Sequence, residues 1–202
     1  MDIHERGIVM AGGFTEEQRE QIRKSLLASG YDLFVAEGFR KMTVAGVAGR
    51  SGVAVGTFYN FFPSKEQFVI AMIRDTEAEF ERKMQSAFFS GGTISLQAFM
   101  KRYREFYYPE NNLLLKATLD DWVWIKSHIK DSDYLNKEND LKKVQYLLSR
   151  IKGIRTDADP GVMVNSVKMI YALYQNRDTL FEESLQTNVD LIFESLYRYM
   201  KG

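Results

Sequence analysis

Few side chains in this sequence are equipped to make or break bonds. Its two histidines, His4 and His128, stand far apart, and cysteine is absent. A thiolate nucleophile, a thiolate metal site and a disulfide framework are therefore excluded, and a histidine triad would rest on His128 alone. The carboxylates Asp120 and Asp121 are adjacent, and neighbours on a helix do not face each other; Asp157 and Asp159 stand just before Pro160, where a helix cap belongs. The glycines between Gly49 and Gly56 lack the Lys-Ser/Thr ending of a phosphate-cradling loop. No catalytic residue, metal site or cofactor is expected.

What remains is hydrogen-bonding and apolar chemistry gathered in one window. Lys plus Arg and Asp plus Glu are 27 each, so the whole chain has no charge preference. Between Gly38 and Lys65, however, there is no acid, while Arg40, Lys41, Arg50 and Lys65 all occur. Such a stretch suits a local surface for a polyanion, and it equally suits a solvated loop.

The elements that must carry this window read as helices. Thr15 caps a first helix, with Glu16 and Glu17 in its first turn and Gln18 at the capping-box position. Ile22, Leu26, Leu33 and Phe34 share a face, Leu27 and Tyr31 lie alongside, and Gly38 ends the helix. Thr43 caps a short second helix on Val44, Val47 and Ala48, whose Gly46 and Gly49 each cost about 1 kcal/mol relative to alanine, so that packing must hold it. A third short helix runs through Val55 to Asn60, and Ser64, after Pro63, caps a fourth that continues to about residue 89. Ala48, Gly52 and Phe58 have the spacing of a helix-turn-helix: a small residue at the helix crossing, a glycine free to take positive φ in the turn, and an aromatic anchor, with Val47, Val53 and Phe61 completing the small core.

The string from Thr43 to Lys65, together with Leu33, Phe34, Gly38 and Phe39, resembles the DNA-binding head of the tetracycline-repressor (TetR/AcrR) family. The matching positions within the string are Thr43, Gly52, Val53, Gly56, Thr57, Tyr59, Phe62, Pro63, Ser64 and Lys65. The resemblance implies a ligand-responsive repressor that binds a palindromic double-stranded DNA operator as a homodimer; a cytoplasmic protein is expected because residues 1–14 have the wrong charge order for a secretory signal and no apolar run is long enough to span a membrane. It places Thr43 on a phosphate and Ala54, Val55 and Thr57 on base edges in the major groove, where Thr57 can hydrogen-bond and apolar groups can meet thymine methyls. Tyr59 and Lys65 would contact phosphates, and Asn60 a base edge or the backbone. On the residues alone, Tyr59 could instead be a core aromatic and Lys65 a plain surface charge. Two positions depart from the family pattern: Val55 stands where a basic residue is common, and Gly46 where an acid is frequent. Because the third helix carries no Lys or Arg, an alternative is a family-like head that serves a protein partner.

Further helices are expected over 93–107, 111–130, 133–152, 160–176 and 179–200. With 45% hydrophobic residues, 27% charged residues and three prolines in 202 positions, the chain reads as an ordinary globular protein, all-α, with about nine helices. No apolar run reaches the roughly 20 residues that span a bilayer, so no membrane partner is expected. The expected organisation is a mobile arm over 1–14, the helix-turn-helix head over 15–63 and a C-terminal ligand-binding and dimerisation domain over 64–202. Candidate contacts for a small-molecule effector, whose identity stays open, are Phe99, Tyr103, Tyr107, Trp122, Trp124 and His128; Phe99, Tyr103 and Tyr107 could equally be core. The two tryptophans lie about 200° apart on one helix and cannot enter the same core. Apolar stripes containing Val167, Tyr171, Tyr174, Leu185, Val189, Ile192 and Leu196 suggest an isologous helical dimer interface, or simply the cover of their own core.

Overall fold

Thr15 opens the first helix of the computed structural model, which describes residues 13–88, 92–129 and 136–201. The arm expected over 1–14 lies outside the described residues except at its last two positions, and so does His4. The Thr15 hydroxyl accepts from the Gln18 amide, and the Gln18 side chain accepts from the Thr15 amide. This reciprocal cap starts α1 (Glu16–Lys41), which is interrupted at Gly38 by φ +79°. The chain then forms α2 (Val44–Arg50), α3 (Val55–Tyr59) and α4 (Lys65–Phe88). Residues 1–72 and 73–202 make two compact units.

In the first unit, Leu26, Phe34, Phe39, Val47, Ala48, Phe58, Phe62 and Phe68 are buried. Phe34 stacks on Phe39 at 4.0 Å between centroids, while Phe58, Phe62 and Phe68 form a triangle with edges of 4.9–5.6 Å. Offset and edge-to-face contacts of this kind add to area burial and suit a small core that has little else to draw on. Gly30 makes room for this cluster. A methyl there would fall 2.6 Å from Phe68 Cε1, closer still to Cζ, and 3.0 Å from Met72 Sδ.

The second unit contains α5 (Leu96–Phe106), α6 (Leu119–His128), α7 (Lys137–Leu148), α8 (Pro160–Gln175) and α9 (Leu185–Lys201). Two-residue strands β1 (Ile94–Ser95) and β2 (Ile151–Lys152) pair in parallel, Ile94 against Ile151. The architecture is all-α, with nine α-helices among the described residues. The unit's core gathers Phe99, Tyr103, Tyr107, Leu115, Met163, Ile170, Val189, Phe193 and Met200.

Four helix starts differ from those the apolar period suggests; capping explains three of them and 3₁₀ turns the fourth. The stretch 111–130 is not one helix: a 3₁₀ turn at Leu113–Leu115 is followed by a new start at Thr118, whose hydroxyl and amide both donate to Asp121. Leu115 is consequently buried while Leu119 is 54% exposed, so the face expected of Leu115, Leu119 and Trp122 does not exist. Ser95 caps α5, and Asn136 caps α7, after the positions where periodicity alone would begin them. The last helix starts at Leu185 because 3₁₀ turns occupy Arg177–Thr179 and Glu182–Ser184. Asp159 caps α8 before Pro160 by accepting from the Gly161 amide, as its position implies.

Candidate functional site

The Thr43 hydroxyl accepts from the Gly46 amide at 3.0 Å and fixes the start of α2. Its own proton points away from that bond and can still be donated. Gly52 takes φ +70° in the turn, its amide bonds to Gly49 O and that of Val53 to Ala48 O, so the chain reverses within a few residues. Ala54, in extended conformation, then starts α3. Phe58 is the only residue of α3 that is fully buried. It pins α3 against the core, and every other position from Ala54 to Asn60 is exposed except the half-buried Thr57.

The exposed side of α3 is thus made of Ala54, Val55, Gly56, Tyr59 and Asn60, with Val55 43% and Tyr59 51% exposed. Tyr59 touches Phe58 edge-on at 5.5 Å but is not a core aromatic. Lys65 is more than a plain surface charge. Its Nζ donates to Arg40 O at 3.1 Å, tying the start of α4 to the end of α1. The cationic window is partly offset, because Arg50 pairs with Asp32 at 3.2 Å.

In the second unit, the residues expected to meet a ligand divide into two groups. Phe99, Tyr103 and Tyr107 are buried in the core, and Phe99 stacks on Tyr103 at 5.0 Å. The Tyr107 hydroxyl donates to that of Tyr103 at 3.1 Å. Burial pushes the Tyr103 phenol up to about 12, and it raises Tyr107 and Tyr171 as well. Tyr171 accepts from Asn112 Nδ2 and packs edge-on to Trp122 at 6.0 Å, and the enclosed Trp122 Nε1 has no acceptor among the described residues. Trp124 belongs elsewhere: it stacks on the exposed His128 ring at 4.8 Å. The two tryptophans do part company, as their angular separation requires.

The stripe expected at a dimer interface is turned inward. Tyr174, Leu185, Val189 and Leu196 are buried, while Val167, Tyr171 and Ile192 are partly buried against the same core. These positions are the apolar sides that α8 and α9 present to their own unit, which apolar period by itself cannot distinguish from a side presented to a second chain. On α8, α9 and the segment between them, the large exposed apolar residues among those described are Met169 at 57%, Leu191 at 55%, Leu180 at 43% and Phe181 at 79%. Three of them, Met169, Leu180 and Leu191, line a groove of about 860 Å³ between α8 and α9, whose floor includes Ile192 and Leu196.

Two long-range contacts escaped the sequence. Asn112, buried, bonds to Tyr171 and to the Leu114 amide. Arg177 donates to Leu115 O and Lys116 O across some sixty residues of chain. No spacing signal joins positions so far apart.

Comparisons with known proteins agree with this geometry. Residues 26–72 match the family described as "Bacterial regulatory proteins, tetR family". Over 79 residues the chain is 33% identical to the HTH-type transcriptional repressor KstR of Mycolicibacterium smegmatis, an alignment covering 39% of this chain and 38% of KstR. A TetR-family transcriptional regulator from Streptomyces coelicolor superposes with a TM-score of 0.62 at 15% identity, over 91% of this chain and 97% of that one. The fatty acid degradation regulator FadR from Bacillus halodurans does so with a TM-score of 0.60 at 15% identity, over 87% and 94%. At such identities the superpositions speak for the fold alone. Among the described residues, no helix is long and apolar enough to cross a membrane, and no group of His, Asp and Glu could hold a metal ion.

Proposed function

We propose that this chain, whose residues 26–72 match the tetR family of bacterial regulatory proteins, is a TetR-type transcriptional regulator that acts as a ligand-responsive repressor, binding a two-fold symmetric operator as a homodimer. The observation that carries the reading is the α3 surface: Ala54, Val55, Tyr59 and Asn60 stand exposed within a stretch free of acids, held outward by a single buried anchor, Phe58. Thr57 and Asn60 supply hydrogen bonds to base edges, and Thr43, Tyr59 and Lys65 supply contacts to phosphates.

Dimerisation would use the Met169, Leu180 and Leu191 side of α8 and α9, because large apolar side chains concentrated along one groove are the mark of a contact surface. An effector would enter the second unit near Trp122. The unsatisfied indole N–H there favours a ligand with a hydrogen-bond acceptor, and the neighbouring Tyr171 favours one with a flat apolar part. Nothing in this reading is catalytic, and its place of action is the cytoplasm. The absence of Lys and Arg from α3 keeps one alternative in view, a head that docks on a protein.

Fluorescence anisotropy of the protein on duplexes tiling the DNA around its own gene, against scrambled competitor and at two salt concentrations, tests the proposal. Competitor-resistant binding to a two-fold symmetric site is expected. Tyr59→Ala and Lys65→Ala should weaken binding to all sequences, the loss of the Lys65 charge also flattening the salt dependence by about one unit of slope, while Thr57→Ala changes the ranking of sites. Weak binding indifferent to sequence, with and without candidate effectors, would favour the protein-partner alternative.

A further inference from the structure

The second unit holds two neighbouring hydrogen-bond donors that its own residues do not satisfy. The Trp122 indole N–H is enclosed and has no acceptor among the described residues. The Tyr171 hydroxyl is the other, and Asn112 makes it a donor. Asn112 is buried, its Oδ1 already accepts from the Leu114 amide at 3.1 Å, and its Nδ2 donates to the Tyr171 oxygen at 3.1 Å. Since Asn112 is the one hydrogen-bond partner of Tyr171 among the described residues, the phenol proton has to be donated elsewhere. Burial raises the Tyr171 pKa, so that proton is kept at neutral pH. The two rings lie edge-on at 6.0 Å, within reach of one small molecule. Buried donors without acceptors are costly, and together they favour a ligand oxygen.

Charge narrows the class further. The carboxylates whose charge reaches Tyr171 are Glu77 and Asp140, and each is balanced by a lysine, Glu77 by Lys143 at 3.6 Å and Asp140 by Lys168 at 2.9 Å. A carboxylate ligand would give up its hydration beside two fixed carboxylates whose lysines are already engaged. A cation offers a lone pair to neither donor. A neutral carbonyl oxygen has two lone pairs in the plane of its substituents and carries neither penalty. We infer that the effector is an uncharged, flat compound bearing a carbonyl group, held by the Trp122 indole and the Tyr171 hydroxyl, with Asn112 as the positioning residue that turns the hydroxyl toward it. This rests on the effector reading above, which left the ligand's charge and functional group open.

Three probes on one ring frame test this with the full-length protein: acetylnaphthalene, an uncharged ketone; ethylnaphthalene, of the same shape without an acceptor; and naphthoate, a carboxylate. Binding is followed by magnetic resonance at the two indole N–H signals of nitrogen-labelled protein, assigned with Trp124→Phe. Acetylnaphthalene should move the Trp122 signal downfield, as a new hydrogen bond does, and bind about tenfold tighter than either of the others at neutral pH. Tyr171→Phe should narrow the ketone's advantage over ethylnaphthalene to about threefold while leaving the hydrocarbon's own affinity within about a factor of two. Trp122→Phe, read by calorimetry and keeping the phenol, should narrow the advantage likewise, and melting curves verify that both variants fold. Equal binding of the hydrocarbon, or tighter binding of naphthoate, with the Trp122 signal shifted, overturns the inference and leaves the effector site standing. If no probe disturbs that signal, or if the ketone's advantage survives both substitutions, the effector reading at Trp122 falls with it.

Discussion

Each phenol in the second unit's core carries a penalty for ionising, and this makes the unit's stability depend on pH in a definite direction. Tyr103 lies in the core with its hydroxyl bonded to Tyr107, and burial raises its pKa from 10.0 to about 12. In the unfolded chain it would ionise near 10. The folded state holds the proton more tightly, so its contribution is complete below pH 10 and is lost as pH rises from 10 through 12. A rise of that size corresponds to about 2–3 kcal/mol, with Tyr107 and Tyr171 acting in the same sense. Urea unfolding measured from neutral to strongly alkaline pH should therefore show a steady loss of stability only above pH 10. The phenolate absorbance of these tyrosines should appear together with unfolding. Full ionisation of all tyrosines in a still-folded protein would contradict this account.

At the scale of elements, the head depends on close approach between helices rather than on propensity. α2 contains two glycines in seven residues and α3 is five residues long, so neither would persist in isolation. They are held by Phe58, Val47 and Ala48, and that core is closed from the other side where Phe68 and Met72 of α4 pass over Gly30 of α1. Gly30→Ala normally favours a helix, but here the added methyl meets a ring in a packed core. A loss of about 1–3 kcal/mol is expected, read as a lower urea midpoint at unchanged slope. A gain in stability would mean that Phe68 can move aside at little cost. The helix-turn-helix was legible because its determinants are local: the Thr15 and Thr43 caps, the positive φ of Gly52, and Phe58 ten residues after Ala48. The boundaries of α5, α6, α7 and α9 were less legible, because apolar period continues through Ser95, Thr118 and Asn136 while the capping bonds at those residues set the start.

For the whole molecule, the face on which a second copy would pack follows from which apolar residues the fold leaves uncovered. Val189 and Leu185 are spent on the unit's own core, whereas Met169 and Leu191 are more than half exposed along one groove. Met169→Glu and Leu191→Arg should each weaken self-association at least about thirtyfold in sedimentation equilibrium, without lowering the melting temperature of the monomer. Binding to a two-fold symmetric duplex should weaken in parallel. A protein that stays dimeric with both substitutions would place the interface elsewhere, and one that is monomeric before any substitution would remove the symmetric-operator reading.

The sequence by itself determined the helical class and the helix-turn-helix of the head. Each of these depends on contacts a few positions apart, where residue type and spacing act directly on backbone geometry. Only the tertiary structure decided that the α8 and α9 stripe faces inward, that Asn112 meets Tyr171, that Arg177 holds the turn at Leu115, and that Lys65 binds the end of α1. An amphipathic helix states that one side will be covered without stating by what. The answer depends on which distant segments compete for that side, and the packing of the whole chain resolves the competition.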